Sequence, residues 1–262
     1  MTITIVVANQ KGGVGKTTTT INIAYGLCQQ GKRVLIVDLD SQGHVAFSFG
    51  LPKAPGLQQV LLDGIPVNQV AIEARPGLDI LPADKSSGED LERRFRDMPH
   101  REDRFRKRLI PQEYDVVLFD TPPSFDVLHV TALDASGFAL IPVRMGALDI
   151  DGVNELLRSI GEINNWRSET DRSALEYAII PTFFDRVTKE TAVQLHEMVK
   201  TFQDRVWPPI PQDTKVRESA AYCMTVWEYA PGSQAVSGTE VNGSGRVGGY
   251  AAVLARLMEQ VL

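Results

Sequence analysis

Residues 9–19 read NQKGGVGKTTT, and this stretch decides the fold. Ahead of it, Met1 to Ala8 carry a β-branched apolar run, TITIVVA after the first residue, at strand length and composition. A buried parallel strand is expected there. Gly12, Gly13 and Gly15 allow the backbone to curl so that several N–H groups converge on one anion, where a Cβ would obstruct. Thr17 to Gln30 is predicted as a helix, with Ile21, Ile23, Ala24 and Leu27 on its apolar side. Its N-terminus then faces the anion, where free N–H groups and the helix dipole favour negative charge. Lys16 is expected on the β- and γ-phosphates of a nucleotide and the Thr17 hydroxyl on Mg²⁺, with Val14 and Thr18 completing the phosphate cradle. Lys11 has no role inside its own loop. Its expected use is to reach phosphates held by a second copy of the chain.

The strict pattern G-x-x-x-x-G-K-[ST] requires glycine where this chain has Gln10. What matches is the variant KGGVGKT behind Asn9-Gln10. This resembles the deviant Walker ATPases, and NQKGGVGKTT is the form typical of ParA-type partition ATPases. Two further segments carry the same resemblance. Lys32 to Asp40 reads KRVLIVDLD, a second buried strand ending in two carboxylates. The resemblance places Asp38 near Mg²⁺ or the loop lysine and gives Asp40 the orienting of the attacking water. Ser41 stands where the family carries proline, while Gln42 is kept. Tyr114 to Asp120 reads YDVVLFD and runs into Thr121-Pro122-Pro123-Ser124. An apolar strand ending in a carboxylate is the Walker B arrangement, which assigns Asp120 to Mg²⁺ or its water shell. The two prolines restrict the turn that follows.

A chain of 262 residues, 43% hydrophobic, can fill a full core in one large α/β domain or two small ones. The resemblance covers nearly the whole chain and implies one P-loop ATPase domain over 1–262: a doubly wound, mostly parallel twisted sheet with helices on both faces. Further short strands are expected at Leu78 to Pro82, Phe138 to Val143 and Leu175 to Pro181, and helices at Asp149 to Trp166 and Lys189 to Arg205. No apolar run approaches the ~18 residues of a membrane span. The immediate entry into the first strand leaves no expected room for a signal peptide or an added DNA-binding domain. Cys28 and Cys223 form no metal or redox pair, and both fit a reducing cytoplasm. The four histidines are scattered and propose no metal site.

Glu89 to Leu109 is dense in charge, but its eight basic and six acidic residues nearly offset. Leu91, Phe95, Met98, Phe105 and Leu109 give it helical apolar stripes, so its arginines are read as solvated faces. A net charge of −6 means that any DNA contact must come from a local patch. The resemblance directs attention to Ile210 to Tyr229, which aligns with the family's I-P-x-x-x-R-x-S-E-A-P-S segment. It implies adenine contacts at Pro211 and Asp213, and DNA contacts at Lys215 and its neighbour Arg217. Arg186 or Lys189 is the expected second basic contact. Gly232 to Gly249 holds six glycines and is expected to be a flexible surface loop. The last helix, Tyr250 to Leu262, has Arg256 as its only basic residue, which argues against a membrane-cycling role.

The resemblance thus implies a slow, partner-stimulated ATPase using ATP and Mg²⁺. It would form an ATP-dependent homodimer, bind double-stranded DNA non-specifically, and partition a plasmid or chromosome under a ParB-like activator in the cytoplasm, on the nucleoid. The rival readings are positioning of a protein cargo over the nucleoid, a MinD-like membrane regulator, and a metabolic ligase or synthetase on the same fold.

Overall fold

The computed structural model describes residues 2–146, 150–241 and 245–262. The β-branched runs form the strands expected of them: β1 (Ile3–Val7), β2 (Val34–Asp38), β3 (Ile72–Arg75), β4 (Leu78–Leu81), β5 (Val116–Asp120), β6 (Phe138–Arg144) and β7 (Glu176–Thr182). They make a seven-stranded sheet in the order β3-β4-β2-β5-β1-β6-β7. Neighbours pair in parallel except at the edge, where β3 runs antiparallel to β4.

Alternation along the strands splits the core into two layers. Ile5, Val7, Ile36 and Leu118 pack with Ile23 and Leu27 of helix Lys16–Gln29 and with Val253 and Leu257 of helix Gly249–Gln260. Val6, Leu35, Val37 and Phe119 pack on the opposite side. There they meet Phe95 of helix Lys85–Arg96, Phe105 of helix Arg101–Leu109, Leu133 of helix Val127–Ala135 and Leu156 of helix Ile150–Glu169. The ring of Phe105 lies 6.1 Å from that of Phe95 and 5.2 Å from that of Phe119, so one side chain ties two helices to the sheet. Burying each such ring contributes about 1.5–3 kcal/mol. The sheet is doubly wound with helices on both faces, as expected.

Several boundaries and one segment differ from expectation. The antiparallel strand β3 was not anticipated; its half-exposed Ile-Glu-Ala-Arg pattern lacks the apolar run that marks a central strand. The helix expected to end at Arg205 stops at Phe202 and tightens into a 3₁₀ turn over Gln203–Arg205. The expected helix start at Asp149 lies outside the described residues. The charged stretch makes two helices, yet not all its arginines are solvated. Arg106 pairs with the buried Asp134 at 2.6 Å, and Arg108 donates to the carbonyls of Val60 and Leu61.

Within 232–249 the chain forms a short helix, Gln234–Ser237, and an antiparallel hairpin of β8 (Thr239–Val241) and β9 (Gly245–Val247), elements that were not anticipated; residues 242–244 lie outside the described residues. The glycines serve close backbone approach. Gly238 has φ +81, and a Cβ there would sit 2.6 Å from the Val247 carbonyl oxygen. The C-terminal helix packs on the body as expected, with Arg256 over the Trp207 ring. No helix of the described residues is long and apolar enough to cross a membrane.

Candidate functional site

The order of the strands places the chemistry. Crossovers lead from β1 to β2 on one side and from β5 to β6 on the other, so the connections diverge where β1 and β5 end. In open α/β sheets ligands bind in the crevice outside such carboxyl ends. In register, Asp120 stands beside Val7 on one neighbour and Asp38 on the other.

The loop leaving β1 is shaped by two left-handed glycines, Gly13 (φ 72) and Gly15 (φ 92). Gly15 is the N-cap of helix Lys16–Gln29, and no side chain caps that end. The first-turn N–H groups are therefore available to an anion. Asn9 braces the loop from below: its amide donates to the Pro142 carbonyl at 2.8 Å, and its carbonyl oxygen accepts the Lys11 N–H at 2.9 Å. Thr182 donates to the Val14 carbonyl at 2.8 Å from the far wall.

The two loop lysines are in different settings. Lys16 is buried, and its ammonium donates to the Lys11 carbonyl at 3.0 Å. Burial lowers its pKa, against the raising influence of Asp120 and Asp40. Lys11 itself is exposed.

Three carboxylates surround the loop in distinct roles. Asp120 is fully buried and accepts hydrogen bonds from the hydroxyls of Thr17 and Thr20, both at 2.7 Å. Burial pushes its pKa up to about 6, with the two hydroxyls and Lys16 pulling the other way. Asp38 is also fully buried, and burial followed by the Asp120 charge raises its pKa well above the carboxylate range. Its oxygens accept the backbone N–H groups of Asp40 and Val45, at 3.0 and 3.1 Å, so it organises the turn after β2. Asp40 is half-buried and accepts the Gln42 N–H at 2.9 Å. Two buried carboxylates beside a threonine hydroxyl suit a hard divalent cation, which favours oxygen donors. Among the described residues no three His, Cys, Asp or Glu side chains are grouped so as to hold a metal ion by themselves.

The residues expected at the adenine do line one cavity, of about 350 Å³, together with Gly15 and Thr18. The Asp213 carboxylate is committed there to the backbone N–H groups of Lys215 and Ala235, which caps helix Thr214–Ala221 and anchors the chain ahead of the hairpin.

The expected DNA contacts come from two segments: Arg186 and Lys189 at and just before the start of helix Lys189–Phe202, and Lys215 and Arg217 in helix Thr214–Ala221. Arg217 is exposed and also lines the cavity that Gly15 lines. Lys215 pairs with Glu218 at 2.7 Å. Arg186 donates to the Glu240 carbonyl of the hairpin, and Lys189 opens the exposed start of helix Lys189–Phe202.

Sequence reading missed Thr20, Asn9 and His129. Thr20 was legible as the residue one helical turn beyond Lys16. His129 is buried under the Thr121–Ser124 turn, with Nδ1 3.0 Å from the Ser124 carbonyl oxygen, and burial pushes its pKa down to about 4. It is a neutral imidazole holding the turn, and no spacing in the sequence marks it.

A family model described as an AAA domain matches residues 2–175. The chromosome partitioning protein ParA of Caulobacter vibrioides is 32% identical over 244 residues, covering 88% of this chain and 90% of that one. The chromosome-partitioning ATPase Soj of Thermus thermophilus is 33% identical over 234 residues, covering 87% and 89%. Among solved structures, the cobyrinic acid a,c-diamide synthase of Mycobacterium smegmatis with a bound ATP analogue and magnesium superposes with a TM-score of 0.73. It shares 30% identity over 85% of this chain and 93% of that one.

Proposed function

This chain belongs to the ParA/Soj family of partition ATPases, and from that premise we propose that it is a nucleotide-timed switch that grips DNA as an ATP-bound dimer and releases it on hydrolysis. The observation that carries the reading is the pair of loop lysines, one buried and one exposed, with the Lys16 ammonium donating to the Lys11 carbonyl. An incoming phosphate competes with the Lys11 carbonyl for the Lys16 ammonium. Nucleotide binding thereby loosens the segment that carries Lys11, whose charge can then reach the phosphates of a second copy and stabilise the charge that develops on transfer.

Within one copy the loop backbone and Lys16 hold the β- and γ-phosphates. Thr17 and Asp120 would hold a magnesium ion, with Asp38 fixing the turn behind them; the ion supplies charge neutralisation at the phosphates. Asp40 orients the attacking water. Lys215, Arg217, Lys189 and Arg186 supply the DNA phosphate contacts, a set made effective by being doubled across the dimer. A partner bound to the cargo stimulates turnover, and the chain acts on the nucleoid.

Sedimentation velocity tests this. The parent chain should go from monomer to dimer with ATP and Mg²⁺ but not with ADP. Lys11→Ala should still bind ATP yet remain monomeric, while Lys16→Ala should lose ATP binding by about a hundredfold or more. A Lys11→Ala protein that dimerises normally contradicts the cross-subunit role.

A further inference from the structure

The turn that follows Asp120 is fastened at both ends. At its start the Thr121 hydroxyl donates to the Val7 carbonyl at 2.9 Å, where the chain leaves β1. At its far end Asp126 caps helix Val127–Ala135: one carboxylate oxygen accepts the Ser124 hydroxyl at 2.8 Å and the other the His129 N–H at 2.9 Å. The His129 ring reaches back to the same stretch, with Nδ1 3.0 Å from the Ser124 carbonyl oxygen.

His129 is fully buried, and the Phe125 ring packs on it with centroids 5.0 Å apart. A carbonyl only accepts, so in the neutral imidazole the single N–H belongs to Nδ1. Nε2 is left buried without a hydrogen bond, although the Pro122 carbonyl favours its protonation. An orphaned buried nitrogen is a cost that a leucine of similar bulk avoids. Packing alone therefore does not account for a histidine here.

The surroundings of the turn do. Pro122, Pro123 and Ser124 line a cavity of about 390 Å³ together with Asp40 and Gln42, and Lys16 and Thr17 do not line it. The turn thus borders the space beside the carboxylate assigned to the attacking water.

We propose that His129 is a positioning residue for hydrolysis: its Nδ1–H fixes the Ser124 end of the turn, and the turn sets the shape of the cavity in which Asp40 orients water. The proposal rests on the nucleotide-switch reading above. A small displacement of the groups that place a reactant slows the reaction step and leaves ground-state binding alone. Asp120 is held by the Thr17 and Thr20 hydroxyls without help from His129, so the grip on nucleotide and magnesium does not depend on it.

The test is steady-state ATP hydrolysis and calorimetric ATP binding by the full chain and its His129→Leu and His129→Asn variants, with long-range ¹H–¹⁵N NMR of the imidazole in the parent. Leucine keeps the bulk and loses the donor, whereas asparagine carries an N–H donor at the δ position that Nδ1 occupies. His129→Leu should lower kcat by about tenfold and change the Kd for ATP by less than about twofold. His129→Asn should recover turnover to within about threefold of the parent. The parent should show the neutral Nδ1–H tautomer at about pH 7. Normal turnover in His129→Leu overturns the proposal, and so does a loss of ATP affinity as large as its loss of turnover, which would put His129 in binding. An equal loss in both variants returns it to packing. The tautomer is read in the parent, so a poorly folding leucine variant does not shelter the proposal: an Nε2–H ring overturns it. A parent chain that neither binds nor hydrolyses ATP overturns the switch reading, and the positioning role falls with it.

Discussion

At Asp120 the proposed function sets two demands on one side chain: it must be buried to be fixed, and ionised to hold a cation. Burial raises its pKa from 3.8 to about 6. Between those values the folded chain binds more protons than the unfolded chain, so this residue's contribution to stability falls as pH rises through about 6. The buried carboxylate is thus a liability at neutral pH unless a cation offsets it. Asp120→Asn should stabilise the protein in the absence of magnesium and nucleotide by on the order of 2 kcal/mol at pH 8, with the advantage shrinking toward pH 4. Urea melts at the two pH values check this; a variant less stable than the parent at pH 8 would mean that its hydroxyl hydrogen bonds outweigh the desolvation. Lys16, Thr17 and Asp120 were legible in the sequence because phosphate and magnesium chemistry constrains residue type and spacing together.

Among elements, the parallel strands were readable because burial on both faces demands unbroken β-branched runs such as VLIVD and VVLFD. The hairpin of β8 and β9 was not. Glycine density signals conformational freedom in the unfolded chain, but it equally serves close backbone approach in the folded one. Gly248 has φ +86, and a Cβ there would collide with the Pro209 carbonyl. Gly248→Ala should therefore destabilise by on the order of 2 kcal/mol or more, whereas Gly232→Ala, which meets nothing within 4 Å, should be close to neutral. Thermal melts of the two variants separate a built hairpin from a slack loop: equal, small shifts would return the segment to the loop reading. The turn after β5 shows the same limit on sequence reading. Its prolines were visible as stiffeners, while the buried His129 that holds its far end became visible only through packing.

For the molecule as a whole, a net charge of −6 makes DNA binding a matter of geometry. One copy offers a few cations, several already committed to neighbours, so in the proposed switch the grip depends on pairing two copies through ATP, and hydrolysis is the release step. Asp40→Ala should dimerise with ATP and stay on DNA, with phosphate release slowed by about a hundredfold or more; normal turnover would assign the water to another group. The measurement that meets the central claim most directly is fluorescence anisotropy of a random-sequence duplex, titrated with the protein in ATP, ADP or no nucleotide across a salt series. The account predicts binding with ATP alone, lost steeply as salt rises because phosphate contacts release counterions. Binding of equal strength in all three conditions, or in none, would contradict it.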